Sequence, residues 1–172
     1  MTEAPVGQQL SDRQRLAWLR LIRTDNVGPQ TFRDLINRFG SAEAAIEALP
    51  ELARRGNAST AIQAWPLEAA EAEMETARRF GARFVAIGEP DYPLLLRRIA
   101  APPPLIAVKG NGAVLRLPAV SIVGARNASL AGIKMARTLA HELGREGYAI
   151  VSGLARGIDA AAHTGSVDTG TI

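Results

Sequence analysis

From Ala82 onward, short β-rich runs alternate with stretches of helical period, and that alternation restricts the fold more than any other feature of the chain. The runs are 83–87, 105–108, 119–123 and 148–151, with helical segments around 92–99 and 130–145 between them. Strands that alternate with helices pair most readily as a parallel sheet covered by helices on its faces. Within 130–145, Ile133, Ala136, Ala140 and Leu143 recur at helical spacing and form a stripe that would face such a sheet. Pro102-Pro103-Pro104 reads as a rigid connector inside this region. Thr169 to Ile172 reads as the start of a further strand. Because a doubly wound sheet has about five or six strands, we expect the natural protein to be longer than this sequence.

Residues 11–80 show helical period and no strand pattern. Ser11 is placed to cap a helix carrying Leu16, Leu19 and Ile22, which breaks at Asp25-Asn26-Val27-Gly28-Pro29. Pro29 suits the first turn of a second helix, with Phe32, Leu35, Ile36 and Phe39 inward and Gly40 as its stop. Ser41 caps a third, with Ala45, Ile46 and Leu49 inward and Pro50 as its expected end. A last helix is predicted from Pro66 to Phe80, with Leu67, Ala70, Met74 and Ala77 on one face.

The chain has 172 residues, enough for one ordinary domain or two small ones, and its 47% apolar and 22% charged residues are those of a globular protein. There is no Cys, so disulfides, thiolate metal sites and a cysteine nucleophile are excluded. The first residues carry no secretory signal and no apolar run approaches the length of a membrane span. These features predict a soluble, cytoplasmic protein with no membrane partner. Residues 1–100 balance 13 Arg against 13 acids, whereas 101–172 hold 7 basic residues against 4 acidic ones. The excess suggests an anionic partner for the C-terminal part.

Two stretches carry the chemistry. In Ser121-Ile-Val-Gly-Ala-Arg-Asn-Ala-Ser129 an apolar strand runs into a glycine turn and then a helix. At the carboxyl end of a parallel strand, turn amides and the helix N-terminus point outward together and attract anions. Arg126 would stand there as a bidentate phosphate donor, and Ser129 as helix cap or phosphate contact. The alternative is a plain strand-to-helix turn with an incidental surface Arg. Val151-Ser-Gly-Leu-Ala-Arg-Gly-Ile-Asp159 repeats the pattern, so that adjacent strands would bring two Arg-bearing loops into one crevice. Asp159, at the start of a helix, suits the positive end of its dipole, as a cap or as the partner of an Arg rather than a catalytic acid. His163, one turn later, reads as a structural hydrogen-bonder, with half a metal site as the alternative. His141 reads as a solvated surface residue. The first loop lacks G-x-G-x-x-G and the next strand end lacks a ribose-binding acid, which argues against NAD, and there is no G-x-x-x-x-G-K-[ST]. No cofactor, metal or catalytic residue is predicted.

SIVGARNAS and VSGLARGIDAAAH together resemble the paired signatures of the DNA-processing protein A family (DprA, also called Smf). Asp91-Tyr92-Pro93, Pro102 to Pro104 and Lys109-Gly110 also resemble that family, and Val27-Gly28-Pro29 with Phe39-Gly40-Ser41 resembles its helical N-terminal domain. The family often has Ser or Thr where Ala125 stands. The resemblance implies an α/β protein: a helical, SAM-like or helix-hairpin-helix-like domain over 1–80, then a Rossmann-like domain over 81–172, incomplete at its C-terminus. It implies binding of single-stranded DNA in natural transformation and recombination, protection of incoming strands, assistance in loading the RecA recombinase, homodimerisation of the full-length protein, and no catalytic turnover. The phosphate-contacting set carried over by motif is Gly124, Arg126, Ser129, Ser152, Gly153, Arg156 and Gly157, with Asp159 and His163 supporting the site. Gly28, in the helix-hairpin-helix-like turn, is a possible second DNA contact, against the alternative of a simple helix corner. A competing function is an enzyme: related Rossmann proteins cleave nucleotide N-glycosidic bonds. A third reading gives the helical module a protein-interaction role of its own.

Overall fold

A computed structural model describes residues 9–55 and 63–172. The chain divides into two compact units, Met1–Gly110 and Asn111–Ile172. The first begins with helices set by the signals in the sequence. Ser11 caps α1 (Asp12–Arg23), its hydroxyl accepting from the Gln14 amide while the Gln14 side chain accepts from the Ser11 amide. This reciprocal pair satisfies two of the amides that a helix start leaves open. Asn26, with left-handed backbone at φ 64°, turns the chain toward α2 (Pro29–Phe39), which ends at Gly40 with φ 80°. The Ser41 hydroxyl accepts from the Ala44 amide at the head of α3 (Ala42–Arg55). After Pro66 comes α4 (Leu67–Arg79).

The expected end of the third helix at Pro50 is corrected: α3 runs through it to Arg55. Proline forfeits one helical hydrogen bond, but the residues after it are good helix formers and Leu52 packs against the core. That core gathers Ala17, Leu21, Val27, Phe32, Leu35, Ala42, Ala45 and Leu49 from α1, α2, α3 and the turn between the first two. Trp18 meets the Phe32 ring edge-on, with centroids 4.9 Å apart. In α4, Ala70 is fully buried, Met74 and Ala77 are half-buried, and Leu67 is exposed.

A second correction concerns the sheet. The first two predicted strands, β1 (Ala82–Ala86) and β2 (Leu105–Lys109), pair antiparallel, Ala82 opposite Lys109 and Ala86 opposite Leu105. They form a two-stranded sheet in the first unit and do not join the parallel one. The only helix between them, α5 (Leu94–Arg97), has four residues, too short to cover a sheet in a parallel crossover. The connection is instead pinned from within. Buried Tyr92 donates its hydroxyl to the Pro103 carbonyl at 2.7 Å, and the Ile87 amide donates to Pro104. Glu89, in the same connection, has its side chain 4% exposed and meets the Arg15 guanidinium of α1 in a two-pronged ion pair at 2.7 and 3.0 Å. The Glu89 carboxylate also accepts from the amides of Ala86 and Leu10.

The second unit is a compact α/β layer. After a short 3₁₀ turn (Gly112–Arg116), β3 (Ala119–Ser121) runs into α6 (Leu130–Arg145) and returns as β4 (Ala149–Val151), parallel to β3. Then comes α7 (Ile158–Ser166). The further strand expected from Thr169 to Ile172 begins as a parallel bridge between Thr171 and Ile150. Strand β4 is therefore hydrogen-bonded on both sides. Ile122, Ala136, Ala140, Ile150, Ala161 and Ala162 make the core. Small residues bring α6 and α7 close, and a Cβ on Gly165 would sit 3.1 Å from the Ala140 Cβ. Among the described residues no helix is long and apolar enough to cross a membrane.

Candidate nucleic-acid interface at two strand ends

The carboxyl ends of β3 and β4 lie side by side because the strands pair in parallel, Ser121 opposite Val151. Pairing continues one residue further, where the Ile122 amide donates to the Val151 carbonyl at 3.0 Å and the Ser152 hydroxyl donates to the Ile122 carbonyl at 2.7 Å. Beyond that point both chains leave the sheet as loops, and both loops converge on one side chain. Asp159, only 6% exposed, accepts from the Gly124 amide through Oδ1 at 3.4 Å and from the Gly153 amide through Oδ2 at 3.1 Å. The buried carboxylate thus holds one loop with each oxygen, at the first turn of α7, where the helix dipole also favours negative charge. A third tie runs from the Ile158 amide to the Ala125 carbonyl at 3.2 Å.

Two glycines permit this closeness. Gly157, which precedes α7, has φ 87° and ψ −125°, a region open essentially to glycine alone. A Cβ there would also strike the carbonyl oxygens of Ala125 and Arg126. At Gly124 a Cβ would lie 2.8 Å from the Ile158 side chain, which packs under the loop.

The cations stand outside this framework. Arg126 and Arg156 are exposed, one on each loop, and neither makes an ion pair or side-chain hydrogen bond with the described residues. Five arginines of the first unit, Arg15, Arg23, Arg78, Arg79 and Arg83, are held by carboxylates. Ser129 is the N-cap of α6, its Oγ accepting from the Gly132 amide at 3.2 Å. The two loops therefore carry two exposed guanidinium groups and lead into two helix N-termini, while Asp159, the carboxylate that joins them, is buried and accepts from their amides. Such a surface attracts anions, and phosphates in particular.

Of the residues singled out in the sequence, Gly124, Gly153 and Gly157 lie around Asp159, with Arg126, Arg156 and Ser129 on or beside the same loops. Ser152 has its hydroxyl proton engaged inside the fold. His163 does not pair with Asp159. Its Nδ1 lies 2.7 Å from the Thr171 hydroxyl, which donates its own proton to the Ile150 carbonyl. Nδ1 must then be the donor in that contact, and His163 ties α7 to the strand that starts at Thr171. His141 is exposed on α6. Gly28 belongs to the first unit, as the exposed N-cap of α2, and neighbouring Arg23 is paired with Glu73. One residue gave no signal in the sequence: Leu154 takes left-handed backbone at φ 56° in the middle of the second loop.

Comparison with known proteins finds a family match in each part of the chain. Residues 12–76 match the DprA-like N-terminal HHH domain, and residues 83–172 match the DNA recombination-mediator protein A family. The protein Smf of Synechocystis is 28% identical over 90% of this chain and 42% of its own length. The DNA processing protein DprA of Streptococcus pneumoniae is 42% identical over 46% of this chain and 28% of its own. The X-ray structure of DprA from Streptococcus pneumoniae superimposes with a TM-score of 0.61 at 23% identity, covering 95% of this chain and 57% of that one, and shows the same fold. The chain spans less than half the length of the curated relatives it matches. With a helical first part, a parallel strand pair ending in two arginine-bearing loops, and a family match over more than half its residues, this chain belongs to the DNA recombination-mediator protein A family.

Proposed function

We propose that this chain binds single-stranded DNA at the crevice between the two loops, as part of a cytoplasmic recombination mediator that receives incoming strands in natural transformation and passes them to the RecA recombinase. The observation that carries this reading is the pair of exposed, unpaired guanidiniums of Arg126 and Arg156 on loops held by the Asp159 carboxylate. Family membership supplies the polymer. The names of the relatives speak of DNA processing, and a phosphate-seeking surface fits binding through the backbone. The Gly124 and Gly153 amides are taken up by Asp159, so Arg126, Arg156 and the N-terminal turns of α6 and α7 remain to meet the phosphates. Homodimerisation of the full-length protein belongs to the same reading. Turnover is not part of the reading: Asp159, the carboxylate described at these loops, accepts from two backbone amides and serves to hold them.

Fluorescence anisotropy with a labelled oligonucleotide, single-stranded and duplex, tests it. Arg126→Ala should weaken single-strand binding at least tenfold, because it removes a charge-assisted hydrogen bond of about 1.5 kcal/mol or more. The slope of log K against log salt should become shallower by roughly 0.7 for each phosphate that the variant no longer neutralises. Duplex preference, or affinity indifferent to Arg126, overturns the proposal. Release of free base from nucleotides by the purified chain would put the enzyme reading in its place.

A further inference from the structure

Leu154 is hard to account for by folding alone. It lies between Gly153, whose amide is held by Asp159, and Ala155, whose carbonyl accepts from the Ala160 amide. Its backbone is left-handed, at φ 56°, and its side chain is 82% exposed. Glycine or asparagine takes that conformation with little strain, whereas leucine places its Cβ against the backbone and is rarely found there. The chain thus accepts strain to hold an apolar side chain in water, and strain of this kind clusters where a ligand is met. Across the crevice Val123, which precedes the other latched glycine, is also exposed. Arg126 and Arg156 stand two residues beyond Gly124 and Leu154 respectively, along the same two loops.

We propose that Leu154 is a base-contacting side chain: an unstacked nucleobase of the bound strand seats its face on Leu154 while Arg126 and Arg156 hold the flanking phosphates. This rests on the single-strand reading above and adds the feature that distinguishes one strand from two. The charges on the loops commit the occupant to an anionic polymer with apolar faces, and a single-stranded nucleic acid offers both at a spacing of one nucleotide. In a duplex those faces are stacked and hidden, so the leucine has nothing to meet. Contact with a base face is indifferent to base identity.

The test uses the full chain and two strands with the same number of phosphates, an oligothymidylate and one whose central nucleotides are abasic. Leu154→Gly removes the side chain and relieves the left-handed strain, so it should melt no lower than wild type. It should bind oligothymidylate about fivefold more weakly, bind the abasic strand like wild type, and keep the same salt slope. Leu154→Phe should retain or strengthen oligothymidylate binding. Equal affinity of wild type and Leu154→Gly for oligothymidylate overturns the proposal, as does an equal loss on both strands. Failure of wild type to bind either strand overturns the single-strand reading itself, and the role of Leu154 with it.

Discussion

Glu89→Gln should lower the melting temperature of the first unit by more than about 10 °C. The substitution keeps the shape of the side chain but leaves the Arg15 guanidinium facing an amide in place of a carboxylate, in a site where the Arg15 side chain is only 14% exposed. Removing one partner of a buried pair costs about 3–5 kcal/mol. For a unit of about a hundred residues, each kcal/mol is worth roughly 4 °C or more. The loss also spreads, because the same carboxylate satisfies the Ala86 and Leu10 amides and the same guanidinium donates to the Phe84 and Leu10 carbonyls. Glu75→Gln provides the control. It breaks the exposed pair with Arg79, and exposed pairs contribute only about 0–1 kcal/mol.

The same group sets an acid limit. Burial alone would push the Glu89 carboxyl up, but hydrogen bonds from Arg15, Ala86 and Leu10 and the Arg15 charge hold it below its ordinary value of 4.5. A carboxyl whose folded-state pKa is depressed binds its proton more readily in the unfolded chain, so its contribution is complete above the unfolded value and disappears as the pH falls through the folded one. Thermal melts of wild type should therefore lose stability steadily below about pH 4.5, while Glu89→Gln, with nothing to titrate there, should show a shallower slope. Parallel slopes would assign acid sensitivity to other carboxylates.

Asp159→Ala carries the second large effect, and two of its consequences oppose each other in sign. Deleting a negative charge beside a phosphate site should, by electrostatics alone, tighten DNA binding. The carboxylate is also what both loops hold. Without it the Gly124 and Gly153 amides lose their charged acceptor, and hydrogen bonds to a charged group contribute about 1.5–3 kcal/mol each. We expect a destabilisation of about 2–4 kcal/mol and an oligonucleotide affinity reduced tenfold or more, because Arg126 and Arg156 no longer share a fixed spacing. Asp159→Asn, with one carbonyl oxygen left to accept, should fall between. Denaturant unfolding and anisotropy on the same samples decide it. Tighter binding by Asp159→Ala would mean that the carboxylate restrains the site electrostatically and does not assemble it.

The helices are legible in the sequence because their signals are local. Ser11 before the first helix, Pro29 at a first turn, Gly40 at an end and Ser129 before Leu130 each act within one turn of chain, and each stands where those signals place it. The strands are legible as runs but not as partners. A β-rich run, a short helical stretch and another run read alike whether the chain crosses over a sheet or doubles back, so the pattern assigns β1 and β2 to the parallel sheet although they form an antiparallel pair. Pro50 misleads for a related reason: local propensity marks an end that the packing of Leu52 overrides.

At the candidate site the sequence by itself determined that two glycine turns, each bearing an arginine, follow two strands and open two helices. Residue order and spacing suffice for that, since the hydrogen bonds of a turn and a cap span only a few positions. What only the tertiary structure decided is how the turns meet. Asp159 accepts from Gly124, 35 residues away, as well as from Gly153, six away. Glu89 is joined to Arg15 across 74 positions, and Leu154 is held in a backbone conformation that leucine does not choose. Such contacts depend on which groups are buried together, and burial is a property of the whole fold.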